Sequence, residues 1–280
     1  MALNIKVSNI GAELTSINFN GAEMLHDGRN FWDRQAPVLF PTVGRLRDNK
    51  TIINDKEYEI PQHGFAKDME FELIEDLENA KVYMTKSNEN TLKMYPFEFE
   101  LYVAYIIQKD TLTVKYKVIN KSKTQMLFGI GGHPGFALKL PQEEYYFELN
   151  RKETSPKFME VEGNYISNYP AKNILKDNKI IEIEKDSFIN DAIMMKNLKS
   201  TKITLKQKKD NEKILEFNFE DFPILAIWSM PNAPFICLEP WFNYADRVEE
   251  TGYFKDKEGV IKLEPEREFD CKFSIKFFKE

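Results

Sequence analysis

Apolar and polar positions alternate with period two along much of the chain. In TLTVKYKVIN, Leu112, Val114, Tyr116 and Val118 share one face, and Thr113, Lys115 and Lys117 share the other. Such alternation predicts a strand with one face in a core and one in water. The preceding FELYVAYII is rich in β-formers and predicts a partner strand, with QKDT as the hairpin turn. KITLKQ, KKDNE and KILEFNF repeat the strand–turn–strand arrangement near residue 210, and the closing CKFSIKFF sets Phe273, Ile275 and Phe277 on one side. Near the start, Asn20-Gly21 in SINFNGAEML is a dipeptide suited to the positive φ angles of a tight hairpin. Helical periodicity is scarce: NENTLKMY and FWDRQAPV each hold a short helical turn at most. No linker, repeat or low-complexity tract stands out. The pattern predicts an all-β chain, a large antiparallel β-sandwich, with residues 1–280 forming one domain.

Composition narrows the function classes. The chain is 42% hydrophobic and 13% aromatic, with a net charge of −6, so it shows no general footprint for nucleic acid or an anionic membrane. A local basic pocket is still compatible with that charge. No stretch reaches the roughly 18 apolar residues of a membrane helix, and the start, MALNIKVSNIGAEL, lacks the pattern of a signal peptide. Cys237 and Cys271 both lie in apolar-patterned segments and read as two reduced thiols, which points to the cytoplasm.

A β-sandwich places chemistry on strand ends and loops. Four loops trap polar residues among Gly, Pro and aromatics: LFPTVGRLRDN, PQHGFAKD, GIGGHPGF and CLEPWFNYAD. The third fails the dinucleotide-binding fingerprint, since Pro134 stands where the third glycine would fall. It reads either as a tight turn with an incidental histidine or as a backbone bent to aim His133 into a cleft. His63 and His133 share a pattern of His, a small or rigid residue, Gly and Phe nearby, and histidine is the side chain best suited to moving protons near neutral pH. His26, in MLHDGRN, reads as a solvated turn residue. No histidine pair or cysteine cluster has metal-ligand spacing, so no metal site is expected. Glu239 follows an apolar strand and precedes Pro240 and Trp241, so it is expected to be poorly solvated, either as a general base or as a buried glutamate tied to an arginine. Trp241 and Phe242 offer flat apolar faces for a pocket or for plain core packing. Arg45, after Gly44, suits a hydroxyl-rich or anionic ligand, whereas Arg47 reads as surface. Asp191, between apolar residues in SFINDAIMM, either caps a turn or accepts hydrogen bonds from a ligand.

Taken together, PTVGRLRDN, QHGFAKD, GIGGHPGF, INDAIMM and CLEPWFNYAD, in that order, resemble the aldose 1-epimerase (mutarotase) superfamily, and its LacX-like branch in particular. The resemblance runs nearly the whole length, and GGHPGF with a downstream EPW is its specific part. It implies a galactose mutarotase-like β-supersandwich that interconverts the α and β anomers of an aldose without a redox or metal cofactor. The family's roles fall on His133 as general acid, Glu239 as general base and His63 as an assistant at the ring oxygen. Arg45, Asp191 and Trp241 are implied to bind the sugar. Relatives often carry glycine near Asn243, and this departure is expected to alter the pocket rim.

The chemistry agrees. Mutarotation needs one proton removed from the anomeric hydroxyl and one delivered to the ring oxygen, then closure on the other face of the aldehyde. One acid and one base suffice, and nothing is oxidised. The implied partner is a small sugar, a free hexose or a hexose 6-phosphate. A phosphate would need cations near the cleft, for which Arg45, Arg47 and Lys67 are candidates. A monomer and a homodimer both fit. Two other classes compete: a sugar-binding or regulatory protein of the same fold, which has little need of a matched acid and base, and a hydrolase, which normally needs two carboxylates where only Glu239 is prominent.

Overall fold

The computed structural model describes residues 2–279. Two large antiparallel sheets dominate it. The first has nine strands, in the order Ile180–Glu182, Tyr145–Leu149, Lys202–Gln207, Lys213–Asn218, Glu268–Phe277, Thr111–Asn120, Phe99–Gln108, Ala80–Lys86 and Glu72–Leu77. The second has eight, running Tyr165–Pro170, Lys157–Glu162, Ile193–Lys196, Ile224–Trp228, Phe235–Trp241, Gly131–Gly132 and Val38–Leu39, with Gly135–Ala137 also paired to Phe235–Trp241.

Alternation decides which side chains enter the core. Leu112, Val114, Tyr116 and Val118 are all buried, and Thr111 pairs with Gln108 across the expected hairpin. Phe273, Ile275 and Phe277 point the same way from the neighbouring strand. The second sheet supplies Phe136, Leu225, Ile227, Ile236 and Leu238 to the same cluster. Phe136 meets Phe217 edge-on across the sandwich at 6.3 Å between ring centres. Asn20 and Gly21 take positive φ angles in the turn between Leu14–Phe19 and Ala22–Glu23, as their identities require. NENTLKMY holds a short helix, Glu89–Met94, started by Asn88 in a reciprocal capping arrangement with Thr91. FWDRQAPV forms no helix: residues 31–37 are turn and loop, from which Trp32, Asp33, Arg34 and Pro37 line the cleft, and Val38 begins the strand Val38–Leu39.

One expectation is corrected here. His26 is not a solvated turn residue. It is 3% exposed, its ring lies 4.3 Å from that of Phe235, and its Nε2 meets the Trp32 carbonyl at 2.9 Å. Its burial comes from residues far away in the chain, which the local MLHDGRN context does not reveal.

The strand Phe235–Trp241 positions the chemistry. All seven residues are buried. Ile236 and Leu238 face the inter-sheet core, so strand geometry sends Cys237, Glu239 and Trp241 to the outer face.

Candidate active site

A cleft of about 640 Å³ lies over that outer face, within the usual range for small-ligand sites. His63, His133, Glu239, Arg45, Asp191 and Trp241 all line it, although they come from five separate loops and strands. The chain has three tryptophans, Trp32, Trp228 and Trp241, and all three are in the wall. Their flat faces suit the apolar side of a sugar ring. Trp32 and Trp228 escaped the sequence reading, because an isolated tryptophan carries no sign of which face it serves.

The glycine-rich loop holds His133 by close packing. Gly131 pairs with Leu39 on one side and Trp241 on the other, and a Cβ there would lie 2.7 Å from the Trp241 ring. The Leu238 N–H donates to the Pro134 carbonyl at 3.2 Å. His133 is thereby fixed beside the central strand, with its Nε2 3.1 Å from Glu239 Oε2. The contact has ion-pair distance without hydrogen-bond alignment, for Glu239 Oε2 and His133 Nδ1 have no hydrogen-bond partner among the described residues. The Trp32 ring stacks on His133 at 4.7 Å, and Trp228 meets it edge-on at 5.5 Å. No arginine is paired with Glu239 among the described residues, so it is not a structural glutamate of that kind.

Burial drives the electrostatics. It pushes the Glu239 carboxyl well up, and the negative charge of Asp191 adds to this while the Trp241 indole N–H pulls weakly the other way. Burial, helped by nearby His63, pushes His133 well down. Burial disfavours the charged form of each group taken alone, so a charged carboxylate and a charged imidazole coexist here only as a pair, each stabilised by the other's opposite charge. Asp191 takes a left-handed backbone conformation, φ 81°, on the cleft rim, and burial of its carboxyl raises its pKa.

His63 is locked to the arginine loop. Its backbone N–H donates to the Gly44 carbonyl at 2.8 Å, and the Gly44 N–H donates back to His63 Nδ1 at 3.1 Å. That exchange stabilises the strained φ of 63° at His63. Gly44 itself has φ 74°, and a Cβ there would meet the Ala245 backbone nitrogen at 2.3 Å, so only glycine fits. Because Nδ1 accepts, the neutral ring carries its proton on Nε2. Burial first, then the charges of Lys67 and Arg45, push the His63 pKa down to about 3. His63 is therefore an uncharged hydrogen-bond donor at neutral pH. Its ring centre is 5.6 Å from that of His133.

Arg45 reaches Gln62 Oε1 through Nη2 at 2.8 Å, while its buried Nε has no partner among the described residues. Asp246 fixes the backbone around it: its N–H donates to the Arg45 carbonyl and its Oδ2 accepts from the Arg47 N–H, each at 2.8 Å. Lys257 neutralises Asp246 in a buried ion pair. Two sequence expectations change, for Arg47 and Asn243, and for Phe242 one of the two open alternatives holds. Arg47 is exposed, as read, but it lies over the Tyr165 ring and does not line the cleft, so it is not one of the cleft cations. Phe242 packs against Phe222 and Phe269 at 5.1 Å and is core rather than wall, since the chain alternates past Trp241. Asn243 is not at the rim either. It is fully buried, its Oδ1 accepts from the Val43 N–H at 3.1 Å, and it fills the space beside Gly129, where a Cβ would lie 1.9 Å from that oxygen. Its side chain thus anchors the loop that carries Arg45.

This is a β-sandwich with a buried histidine–carboxylate pair at the floor of an aromatic, polar-rimmed cleft. The chain belongs to the aldose 1-epimerase family, a family of sugar isomerases, whose model matches residues 2–269. It is 33% identical to Protein LacX of Lactococcus lactis subsp. lactis, with 94% of this chain and 92% of the relative covered. Among solved structures, a galactose mutarotase related enzyme from Lactobacillus acidophilus is similar with a TM-score of 0.92 and 30% identity, covering 99% of this chain and 95% of that one. A galactose mutarotase-like protein from Lactobacillus casei is similar with a TM-score of 0.92 and 27% identity, covering 99% and 97%.

Proposed function

We propose that the protein is an aldose 1-epimerase that interconverts the α and β anomers of a hexose. The observation that carries this reading is the contact of His133 Nε2 with Glu239 Oε2, 3.1 Å apart at the floor of the cleft. The anomeric hydroxyl and the ring oxygen are bonded to the same carbon. An acid and a base that touch each other can therefore reach both oxygens of one acetal. Glu239 takes the anomeric proton and His133 delivers one to the ring oxygen, which opens the ring. The C1–C2 bond rotates, and the two groups exchange roles on closure. His63 Nε2–H donates a fixed hydrogen bond toward the ring oxygen, Arg45 and Asp191 hold hydroxyls, and the tryptophans hold the ring face. An acid and a base in contact are what proton transfer requires, whereas binding alone requires only donors and acceptors for the sugar hydroxyls.

A hexose 6-phosphate is the second reading. It is favoured by Arg45 and Lys67 in the same wall, whose combined field helps to keep His63 neutral. Anomer exchange followed by NMR or polarimetry over a panel of free and phosphorylated hexoses tests both readings. The expected result is acceleration over buffer for at least one hexose, with kcat/KM ranking the free and phosphorylated forms. No acceleration for any sugar in the panel overturns the enzyme reading.

A further inference from the structure

The outer face of the Phe235–Trp241 strand carries a group the acid–base chemistry does not use. Cys237 precedes Glu239 by two residues and so shares its face of the sheet. Its thiol is a free, fully buried cysteine against Trp32 and Trp228, and it does not line the sugar cleft. Gly135, two residues after His133, pairs with Cys237 across the sheet. The two pairings bring three different donors together: an His133 ring nitrogen, Cys237 Sγ and a Glu239 carboxylate oxygen all lie within 4.8 Å of one another.

We propose that His133, Cys237 and Glu239 form a binding site for a thiophilic divalent cation of the Zn2+ type, and that its occupation stops catalysis. The donor set is one imidazole, one thiolate and one carboxylate, a mixture that suits Zn2+ and excludes the all-oxygen preferences of Mg2+ and Ca2+. Tetrahedral ligand atoms at zinc bond lengths stand about 3.3–3.8 Å apart. The observed spacing therefore needs side-chain shifts of about 1 Å, with no movement of the sheet. A thiolate and a carboxylate balance a 2+ ion, so the occupied site is neutral, as a buried site should be. An independent observation points to a ligand here. Glu239 is 1% exposed, and its Oε2, which faces His133, has no hydrogen-bond partner among the described residues. Three protein ligands leave a fourth position toward the cleft, for water or a sugar hydroxyl. A cation there occupies the acid and the base at once. Binding rests only on this geometry, whereas the inhibition rests on the mutarotase reading as well.

The test uses the full chain freed of metal, with Zn2+ followed by calorimetry and Co2+ by absorption. One equivalent of each should bind. Co2+ should give a thiolate charge-transfer band that persists in Cys271→Ser, where Cys237 is the only thiol left, and vanishes in Cys237→Ser. Loss of a direct ligand should weaken Zn2+ binding by at least about 100-fold, the upper end of what losing an outer partner costs. Cys237→Ser should also release anomer exchange from Zn2+ inhibition by the same factor. The absence of stoichiometric binding, or a Cys237→Ser protein that binds Zn2+ as the parent does, overturns the site. Should Cys237→Ser fail to fold, Cys237→Ala replaces it, and the cobalt band of Cys271→Ser decides without either variant. The calorimetric and cobalt readouts need no turnover, so their failure is distinct from failure of the enzyme reading.

Discussion

Replacing Glu239 by glutamine separates a catalytic carboxylate from a structural one, because rate and stability move in opposite directions. Glutamine keeps the shape of the side chain and accepts no proton. Loss of one positioned base costs about 10²–10⁴-fold, so kcat should fall by that factor, a rise in barrier of about 2.7–5.5 kcal/mol at 1.36 kcal/mol per tenfold. Stability should rise. Glu239 is 1% exposed, its Oε2 lacks a partner among the described residues, and burial disfavours its charged form. An unsatisfied buried polar group costs about 1–3 kcal/mol, more when charged. Relief of about 1 kcal/mol by a neutral amide raises Tm by about 2 °C in a chain of this size. Sugar affinity should change far less, since Arg45, His63 and the tryptophan walls remain. Exchange rates and melting curves on the same samples decide. A well-folded Glu239→Gln protein with near-normal exchange on its best sugar refutes the mechanism, and a lower Tm with an unchanged rate per folded molecule makes the carboxylate structural. His133→Asn should lose a similar factor, and the double variant should lose less than the product because the pair acts as a unit.

Four further outcomes are expected. His63→Asn keeps a residue that tolerates the left-handed φ of 63° but loses the ring that Gly44 and the sugar share, so kcat/KM should fall about tenfold to 100-fold, the worth of 1–3 kcal/mol; an unchanged value removes His63 from the site. Gly129→Ala drives a Cβ into Asn243 and should cost about 1–3 kcal/mol by denaturant melts, part of which Asn243→Gly should restore in the double variant, whereas strict additivity would mean the two do not touch. Exhaustive chelation should leave anomer exchange intact, and a loss restored by a divalent ion would contradict cofactor-free acid–base chemistry. Burial alone would raise the Glu258 pKa, but Lys196, the Tyr244 hydroxyl and Arg247 override it and hold it at about 2, from an ordinary 4.5. A depressed carboxylate stabilises the fold above its unfolded pKa, and that stability drains as pH falls from 4.5 through 2. The side chain is 52% exposed, so the contribution is discounted to about 1 kcal/mol at most, and Glu258→Gln should flatten the acid limb of a stability–pH curve by that amount.

How much of this site was legible in the sequence depends on the range of the contacts involved. Period two in TLTVKYKVIN and CKFSIKFF named the inner face, because a strand's own alternation sorts its side chains. The same rule applied to FICLEPW sorts Ile236 and Leu238 from Cys237, Glu239 and Trp241. It also carries past the strand, where Trp241 is wall and Phe242 is core, and so divides between the two residues the alternatives left open for both. Arg45 and Arg47 look alike in GRLRDN. What separates them is the path of the backbone, which Asp246, nearly 200 residues away, pins on both sides of Leu46 between them. The resemblance puts Asn243 at the pocket rim, whereas the Val43 N–H and the missing side chain of Gly129 place it inside.

The density of glycine in GIGGHPGF has the same origin. Gly129 and Gly131 have no left-handed φ to explain them, and each is instead a place where a distant side chain presses on the backbone. These glycines let Asn243 and Trp241 close around the loop, beside which His133 and Glu239 are both buried. The shifts of the two groups follow from that burial, which is the largest cause of each. The reactivity of the pair is therefore a property of the packing around it. Enlarging either glycine should cost fold stability, and where the displaced loop wets the pair, His133 should titrate closer to its ordinary value in an NMR pH series; a His133 titration unchanged in a destabilised Gly131→Ala protein would separate the packing from the shift.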